Sequence, residues 1–270
     1  MNDELGGDEL DRYARQLSLS EIGPAGQRKL KQARVLIVGV GALGSPVALY
    51  LAAAGVGTIG LVDDDRVRLS NLQRQVAHSS AGVGKLKVEE AARSLLSINP
   101  QTRIEAEPSR IDESNAMPVL SRYDIIVDGT DSFQARYLLS DAAYLLRLPL
   151  VHGSIFRIEG QVTDFIPGKG CYRCLYPEPP PAGAIDESSD VGVFAALPGV
   201  IGTIQAAEVL KLITASGEPL VNRVLLHDSM AMTFREVRYT RNRACAVCGD
   251  RPRIRALVDY AQFVHSGVAQ

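Results

Sequence analysis

The sequence predicts an α/β protein: a Rossmann-like, mostly parallel sheet with an antiparallel extension, an N-terminal helical segment and a structural zinc site. Three observations predict it. Short, continuously apolar, β-branched runs alternate with segments of helical composition through the first half of the chain, as parallel strands covered on both faces do. After Leu148 the rhythm changes to residues of alternating polarity, the mark of antiparallel strands. Finally, the four cysteines among 270 residues fall into two matched pairs, Cys171-Tyr172-Arg173-Cys174 and Cys245-Ala246-Val247-Cys248.

Residues 8–32 form the expected helical segment, with Arg12, Arg15, Arg28, Lys29 and Lys31 interleaved with Leu10, Leu17 and Leu30 and a break near Gly23-Pro24. Arg34 to Gly41 is an apolar strand ending in glycines, and Ser45 to Ala54 is a helix. Gly57 to Asp63 is a second strand, ending in Asp63, Asp64 and Asp65. A helix from Lys87 to Leu96, strands from Arg103 to Ala106 and from Tyr123 to Val127, and a helix from Phe133 to Leu146 continue the alternation. Pro149 to Ile166 supplies the antiparallel strands. Residues 175–190, rich in Pro, Gly, Ser and acid, cannot build a core and are expected to be a long mobile loop. Gly202 to Ile213 is helical, Arg223 to Tyr239 strand-like, and residues 251–270 a peripheral helical tail. We expect one domain over 1–270, its nucleotide-binding part at 33–148 and the extension at 149–250.

A net charge of −2 with 22% charged residues argues against nucleic acid as the main partner. No basic-then-apolar leader opens the chain, and apolar runs such as Val193 to Ile201 are short of a bilayer span. A cytoplasmic, soluble protein with no membrane contact is expected, acting on a small molecule or another protein.

Gly39-Val40-Gly41-Ala42-Leu43-Gly44 matches G-x-G-x-x-G between a strand and a helix, the context that makes the pattern credible. The first glycine permits the turn, the second admits a phosphate to the backbone, and the third lets helix and strand pack closely. Asp63, 19 residues past Gly44, is placed to accept hydrogen bonds from a ribose. NAD and ATP both fit this half of the site. Ser70-Asn71-Leu72-Gln73-Arg74-Gln75, followed by Lys85 and Lys87, then offers an amide and positive charge suited to a triphosphate, where a dehydrogenase needs an apolar nicotinamide pocket. That favours ATP. Asp128-Gly129-Thr130-Asp131 ends a further strand at the same edge; Asp131 is a candidate Mg²⁺ ligand, and Asp128 a candidate cap of the next helix.

Two C-x-x-C pairs complete the tetrahedral thiolate set that structural zinc prefers, and the 70 residues between them make the site a clip between distant segments. The alternatives are two disulfides or two redox dithiols, less suited to a chain without a secretory leader. His78, His152, His227 and His265 form no recognisable catalytic pair and are read as structural.

With these residues in view, the chain resembles the ubiquitin-activating-enzyme-like superfamily, in particular the MoeB/ThiF/HesA family of adenylyltransferases that activate sulfur-carrier proteins. The likeness is carried by Arg12-Tyr13-Ala14-Arg15-Gln16, Gly39 to Gly44, Ser70 to Gln75, Lys87, Asp128 to Asp131, both cysteine pairs and Gly199 to Thr203. It implies that Asp63 binds ribose, that Asn71, Arg74 and Lys87 hold the phosphates, that Asp131 binds Mg²⁺ and that Zn²⁺ sits on the four cysteines. It further implies a homodimer in which Arg15 enters the neighbouring subunit's site. The implied reaction is attack by the C-terminal glycine carboxylate of a MoaD-like or ThiS-like carrier, ending in Gly-Gly, on the α-phosphate of ATP.

Three departures stand out. Ser188 occupies the loop position where relatives carry a cysteine, so no acyl thioester or disulfide is expected there. Asp131 is followed by Ser132 in place of the usual Asn, and Ala42 replaces a frequent glycine. With no sulfurtransferase domain in the sequence, sulfur is expected from a separate sulfurtransferase. The competing readings are an NAD-dependent oxidoreductase with structural zinc, and a nucleotide-binding scaffold that recruits a ubiquitin-fold protein without activating it.

Overall fold

The computed structural model describes residues 5–178 and 192–260. Helices α1 (Gly7–Arg12), α2 (Ala14–Leu17) and α3 (Gly23–Gln32) form the N-terminal segment. The break falls at residues 18–22, and Gly23-Pro24 begins the third helix instead of interrupting it. A proline in the first helical turn gives up no hydrogen bond and already has the required φ.

The remaining elements alternate as β1 (Arg34–Val38), α4 (Gly44–Ala54), β2 (Thr58–Val62), α5 (Lys87–Ile98), β3 (Arg103–Glu107), α6 (Ala116–Leu120), β4 (Ile125–Asp128) and α7 (Phe133–Leu146). There follow β5 (Leu150–Phe156), β6 (Glu159–Phe165), α8 (Tyr172–Leu175), α9 (Leu197–Thr214), β7 (Arg223–Asp228) and β8 (Thr233–Arg238). The strands make one eight-stranded sheet in the order β3-β2-β1-β4-β5-β6-β7-β8. Pairing is parallel through β5 and antiparallel from β6 onward. The mixed sheet is therefore the one expected, although the first strand after Leu148, β5, still pairs parallel with β4 and the direction changes only at β6.

Alternate residues of β1 feed two cores. Val35 and Ile37 pack with Val47, Leu51, Leu61 and Val209 on one face, and Leu36 and Val38 with Ile126, Tyr137 and Leu139 on the other. Leu36, Ile37, Leu51, Leu61 and Ile126 are fully buried, each contributing about 2–3 kcal/mol by removal from water. α9 is long and apolar enough to cross a membrane by length and composition, yet half of its window is buried inside the molecule, against α4 and the sheet. It starts at Leu197, five residues before the expected Gly202, with Pro198 in its first turn.

Two further expectations are corrected. Tyr172–Leu175 is a short helix, and Tyr176 is held by hydrogen bonds with Gln161, so the chain beyond Cys174 is packed at first; residues 179–191 lie outside the described range. Residues 251–260 contain no helix; most of them are exposed or half-buried, but Tyr260 is fully buried and donates to Asp141 at 2.7 Å. Residues 261–270, with His265, lie outside the described range.

Candidate nucleotide site and cysteine cluster

β1 pairs with β2 on one side and with β4 on the other, so the loops leaving β1 and β4 diverge above the carboxyl edge of the sheet. Ligands of open α/β sheets bind at such a switch point. A cleft of about 380 Å³ lies there, lined by Gly39, Gly41, Ala42, Asp63, Arg74, Lys87, Asp131 and Ser132 among the sequence-predicted residues.

The glycine turn is built by backbone contact. Gly39 has φ +86°, left-handed, and a Cβ on Gly44 would stand 2.0 Å from the Gly39 carbonyl oxygen. No side chain fits between them. Val40, inside the turn, is held from both sides: its N–H donates to Asp63 Oδ2 at 2.8 Å, and its carbonyl accepts from His78 Nε2 at 2.9 Å. Burial lowers the His78 pKa, keeping the ring neutral and fixing it as a donor from Nε2. His78 is structural, as expected, and it shapes the site.

Asp63 ends β2 with Oδ1 accepting from the Asp65 N–H at 2.9 Å. Burial pushes its carboxyl above the ordinary range, and Lys87 pulls the other way. Lys87 is itself nearly buried at the start of α5, 2.7 Å from Asp65 Oδ2 and 4.0 Å from Asp63 Oδ2. This cation is already desolvated and needs only an anionic partner in the cleft to exchange for Asp65. Arg74 is half-buried, its Nη1 donating to the Ser70 carbonyl at 3.2 Å.

Ser70, Asn71, Leu72 and Gln73 are not in the cleft lining. Asn71 closes its own turn instead: its side chain accepts from the Arg68 N–H at 3.1 Å, and its carbonyl accepts from the N–H groups of Arg74 and Gln75. It thereby sets the direction of Arg74. Gly44 supports the turn from behind, and Arg15 is exposed on α2, also outside the lining.

Asp131 is exposed at the cleft lip, and Ser132 caps α7, its Oγ accepting from the Ala135 N–H at 3.2 Å. Asp128 is therefore not the cap. It is wholly buried and bonded to Thr130 and to His152. The sequence reading missed Ser109, Arg110, Ile111 and Arg136 in the lining. Arg136 had a signal: it lies five residues past Asp131 on the first turn of α7. The segment 109–111 has none, being an irregular stretch after β3 that only the fold brings over β2.

The four cysteine Sγ atoms lie within 4.8 Å of one another, with Cys171 to Cys245 at 3.6 Å and Cys174 to Cys248 at 3.2 Å. All four are free thiols, so the disulfide alternative does not hold. A tetrahedral Zn–S bond of about 2.3 Å places sulfurs about 3.8 Å apart, close to these spacings. The donor set fits zinc. Mutual hydrogen bonds already split the thiols, Cys174 falling to about 6 while Cys171 rises. Ser188 lies outside the described residues.

The chain is 48% identical over 262 residues to a sulfur carrier protein adenylyltransferase of Thermus thermophilus, covering 95% of this chain and 97% of that one. It is 46% identical to a SAMP-activating enzyme E1 of Haloferax volcanii, with 91% of each covered. With adenylyltransferase and sulfurtransferase MOCS3 of Anopheles gambiae it shares 47% identity over 96% of this chain, but it spans only 59% of that protein. Among solved structures, E. coli MccB with ATP superposes with a TM-score of 0.78 at 27% identity, over 92% of this chain and 77% of that one. The complex of MccB with MccA-N7isoASN gives a TM-score of 0.80 at 28% identity, over 90% and 76%. The model of the ThiF family matches residues 13–247, and the chain belongs to that family.

Proposed function

We propose that this protein is an ATP-dependent adenylyltransferase that activates the C-terminal glycine carboxylate of a ubiquitin-fold sulfur carrier. The observation that carries the reading is the composition of the cleft: a glycine turn and Asp63 on one wall, with Arg74, Lys87, Arg110 and Arg136 gathered around it. The sulfur carrier protein adenylyltransferase of Thermus thermophilus, matched over nearly its whole length, supports the same chemistry.

The reacting species are two anions. The carrier carboxylate attacks the α-phosphorus, a C–O–P bond forms as the bond to the β-phosphate oxygen breaks, and pyrophosphate leaves with its charge. A carboxylate is ionised at neutral pH, so no general base is needed. The protein's task is to position the anions and offset their repulsion. Asp63 receives the ribose hydroxyls on the lone pairs left by Val40 and Asp65. The glycine turn, with no side chain at Gly41, brings backbone close to the phosphates, and Arg74 and Lys87 neutralise them. Asn71 acts through the turn that aims Arg74, and Arg15, exposed and outside this cleft, completes the site of a second copy in a homodimer.

Asp131 suits Mg²⁺, which takes one or two carboxylates beside phosphate oxygens: it is an exposed carboxylate facing the cleft with no hydrogen-bond partner among the described residues. When bound, the ion would offset charge on the departing pyrophosphate. Zn²⁺ held by Cys171, Cys174, Cys245 and Cys248 would be structural, and sulfur would come from a separate sulfurtransferase.

The test is exchange of labelled pyrophosphate into ATP by the purified protein with Mg²⁺ and a Gly-Gly-ended carrier. Exchange without a thiol-sensitive carrier conjugate is expected, and its loss in Asp131→Ala. Absence of exchange with every carrier encoded in the same genome would overturn the reading. Saturable NAD(H) binding without ATP binding would turn it toward an oxidoreductase, and carrier binding with no adenylate toward a scaffold.

A further inference from the structure

Beneath the lip that carries Asp131 lies a buried polar assembly that the adenylation chemistry leaves without a role. The parallel register of β4 and β5 sets Asp128 opposite His152, and both are excluded from solvent. His152 Nδ1 is 2.8 Å from Asp128 Oδ2. Burial by itself would raise the Asp128 carboxyl, but the His152 hydrogen bond and its companions outweigh burial and hold it below the ordinary range. The carboxylate is ionised and only accepts, so Nδ1 carries the proton and donates.

The other oxygen, Oδ1, accepts from the Thr130 N–H at 2.9 Å and from the Thr130 hydroxyl at 2.6 Å. These bonds close the turn Asp128-Gly129-Thr130, and Asp131 is the next residue. The Asp128 carbonyl accepts from Gln205 Nε2 at 2.9 Å, which ties the same point to α9. The turn also abuts the phosphate-side glycines: a Cβ on Gly129 would stand 2.4 Å from the Gly39 carbonyl oxygen. One carboxylate thus fixes the spacing between the glycine turn and Asp131.

On its far side the His152 ring packs against Tyr172, centroids 5.2 Å apart, and Phe165, at 6.0 Å, and its Nε2 has no hydrogen-bond partner among the described residues. A buried polar atom left unpaired costs stability, so an apolar residue here would be favoured if the position served packing alone. We infer that His152 is a positioning residue for the reaction: it locks Asp128, and through the Thr130 turn holds Asp131 at a set distance from the glycine turn before nucleotide and metal arrive. The inference rests on the reading in which Asp131 binds Mg²⁺.

The test is calorimetric titration of the full-length protein with ATP, with and without Mg²⁺, for the wild type, His152→Leu, His152→Asn and Asp131→Asn, each also checked for thermal unfolding. Asparagine places an amide N–H where Nδ1 stands; leucine removes the donor at similar volume. Partners behind a metal ligand are worth about 10- to 100-fold in metal affinity. His152→Leu is expected to lose that much of the Mg²⁺-dependent gain in ATP affinity while metal-free ATP binding holds, and His152→Asn to recover it. A full gain in His152→Leu overturns the inference, as does equal loss with and without Mg²⁺ in both His152 variants. Should His152→Leu not fold, Thr130→Val removes a donor from the same carboxylate, and an unchanged gain there overturns it equally. If Asp131→Asn keeps the gain, the Mg²⁺ assignment fails and the positioning role with it; if it loses the gain while His152→Leu keeps it, only the positioning role fails.

Discussion

Asp164 and Glu208 make a buried carboxyl pair, remote from the cleft, whose effect on stability follows from its geometry. Asp164 on β6 and Glu208 on α9 both accept from the single Leu220 N–H, at 3.0 and 2.9 Å, and Asp164 Oδ1 accepts no hydrogen bond from the described residues. Burial, then the neighbouring Glu208, pushes the Asp164 carboxyl from 3.8 up to about 9. Between those two values the folded pair holds a proton that the unfolded chain has released. Stability is therefore greatest below the unfolded pKa and declines by about 1.4 kcal/mol per pH unit as pH rises through the window, the loss ending near the folded pKa. Asp164→Asn keeps the volume, donates an amide hydrogen to Glu208 and takes up no proton. Its advantage over the wild type should grow by about 1.4 kcal/mol per unit between pH values of about 5 and about 8. Urea unfolding of both proteins across that range, at one protein concentration, measures it. Parallel stability curves, or a variant that is less stable at the alkaline end, would refute the reasoning.

The remaining expectations concern the cleft and the clip. Gly44→Ala drives a methyl into the Gly39 carbonyl oxygen at 2.0 Å, backbone against backbone; it should cost about 1–3 kcal/mol and abolish ATP binding, whereas Gly199→Ala, with nothing within 4 Å, should be neutral or stabilising in a thermal melt. Arg15→Ala should lose pyrophosphate exchange yet recover it in mixed dimers with Asp131→Ala; no recovery would mean that each site is built from one chain. Removal of zinc by a chelator should lower the melting temperature and release one metal per chain by atomic absorption, and retention of full stability would show that the cysteines do not hold a metal.

The glycine turn, the acids that follow β2 and the alternation that builds the sheet were legible because each is local: a few adjacent residues specify the conformation. Helix α7 matches its expected span of Phe133 to Leu146, since its ends are marked by Ser132 and by Arg147 in the left-handed region. What stayed hidden is made by register. His152 stands 24 residues from Asp128, and only the β4 and β5 pairing turns two ordinary residues into a hydrogen-bonded unit. Residues 251–260 differ from the expected helix for a related reason: short-range composition does not show that Tyr260 reaches back to Asp141, 119 residues away.

Helix α7 also connects the cysteine cluster to the nucleotide cleft. Its first residue follows Ser132 at the cleft, and in its last turn Tyr144 packs against the cysteine cluster. Its 14 residues span about 20 Å between the two. Near the far end Asp141, wholly buried, accepts from Arg173 Nε at 3.0 Å and Nη2 at 2.8 Å, and Arg173 lies between the ligands Cys171 and Cys174. Breaking such a buried pair costs about 3–5 kcal/mol, so the helix and the first cysteine loop move as one body. Four thiolates fixed on one ion would therefore fix the bar that starts beside Asp131. Such a commitment would remove all four thiols of this sequence from chemistry. A chain that spent every cysteine on such a clip would have no thiolate among these 270 residues to accept an activated acyl group.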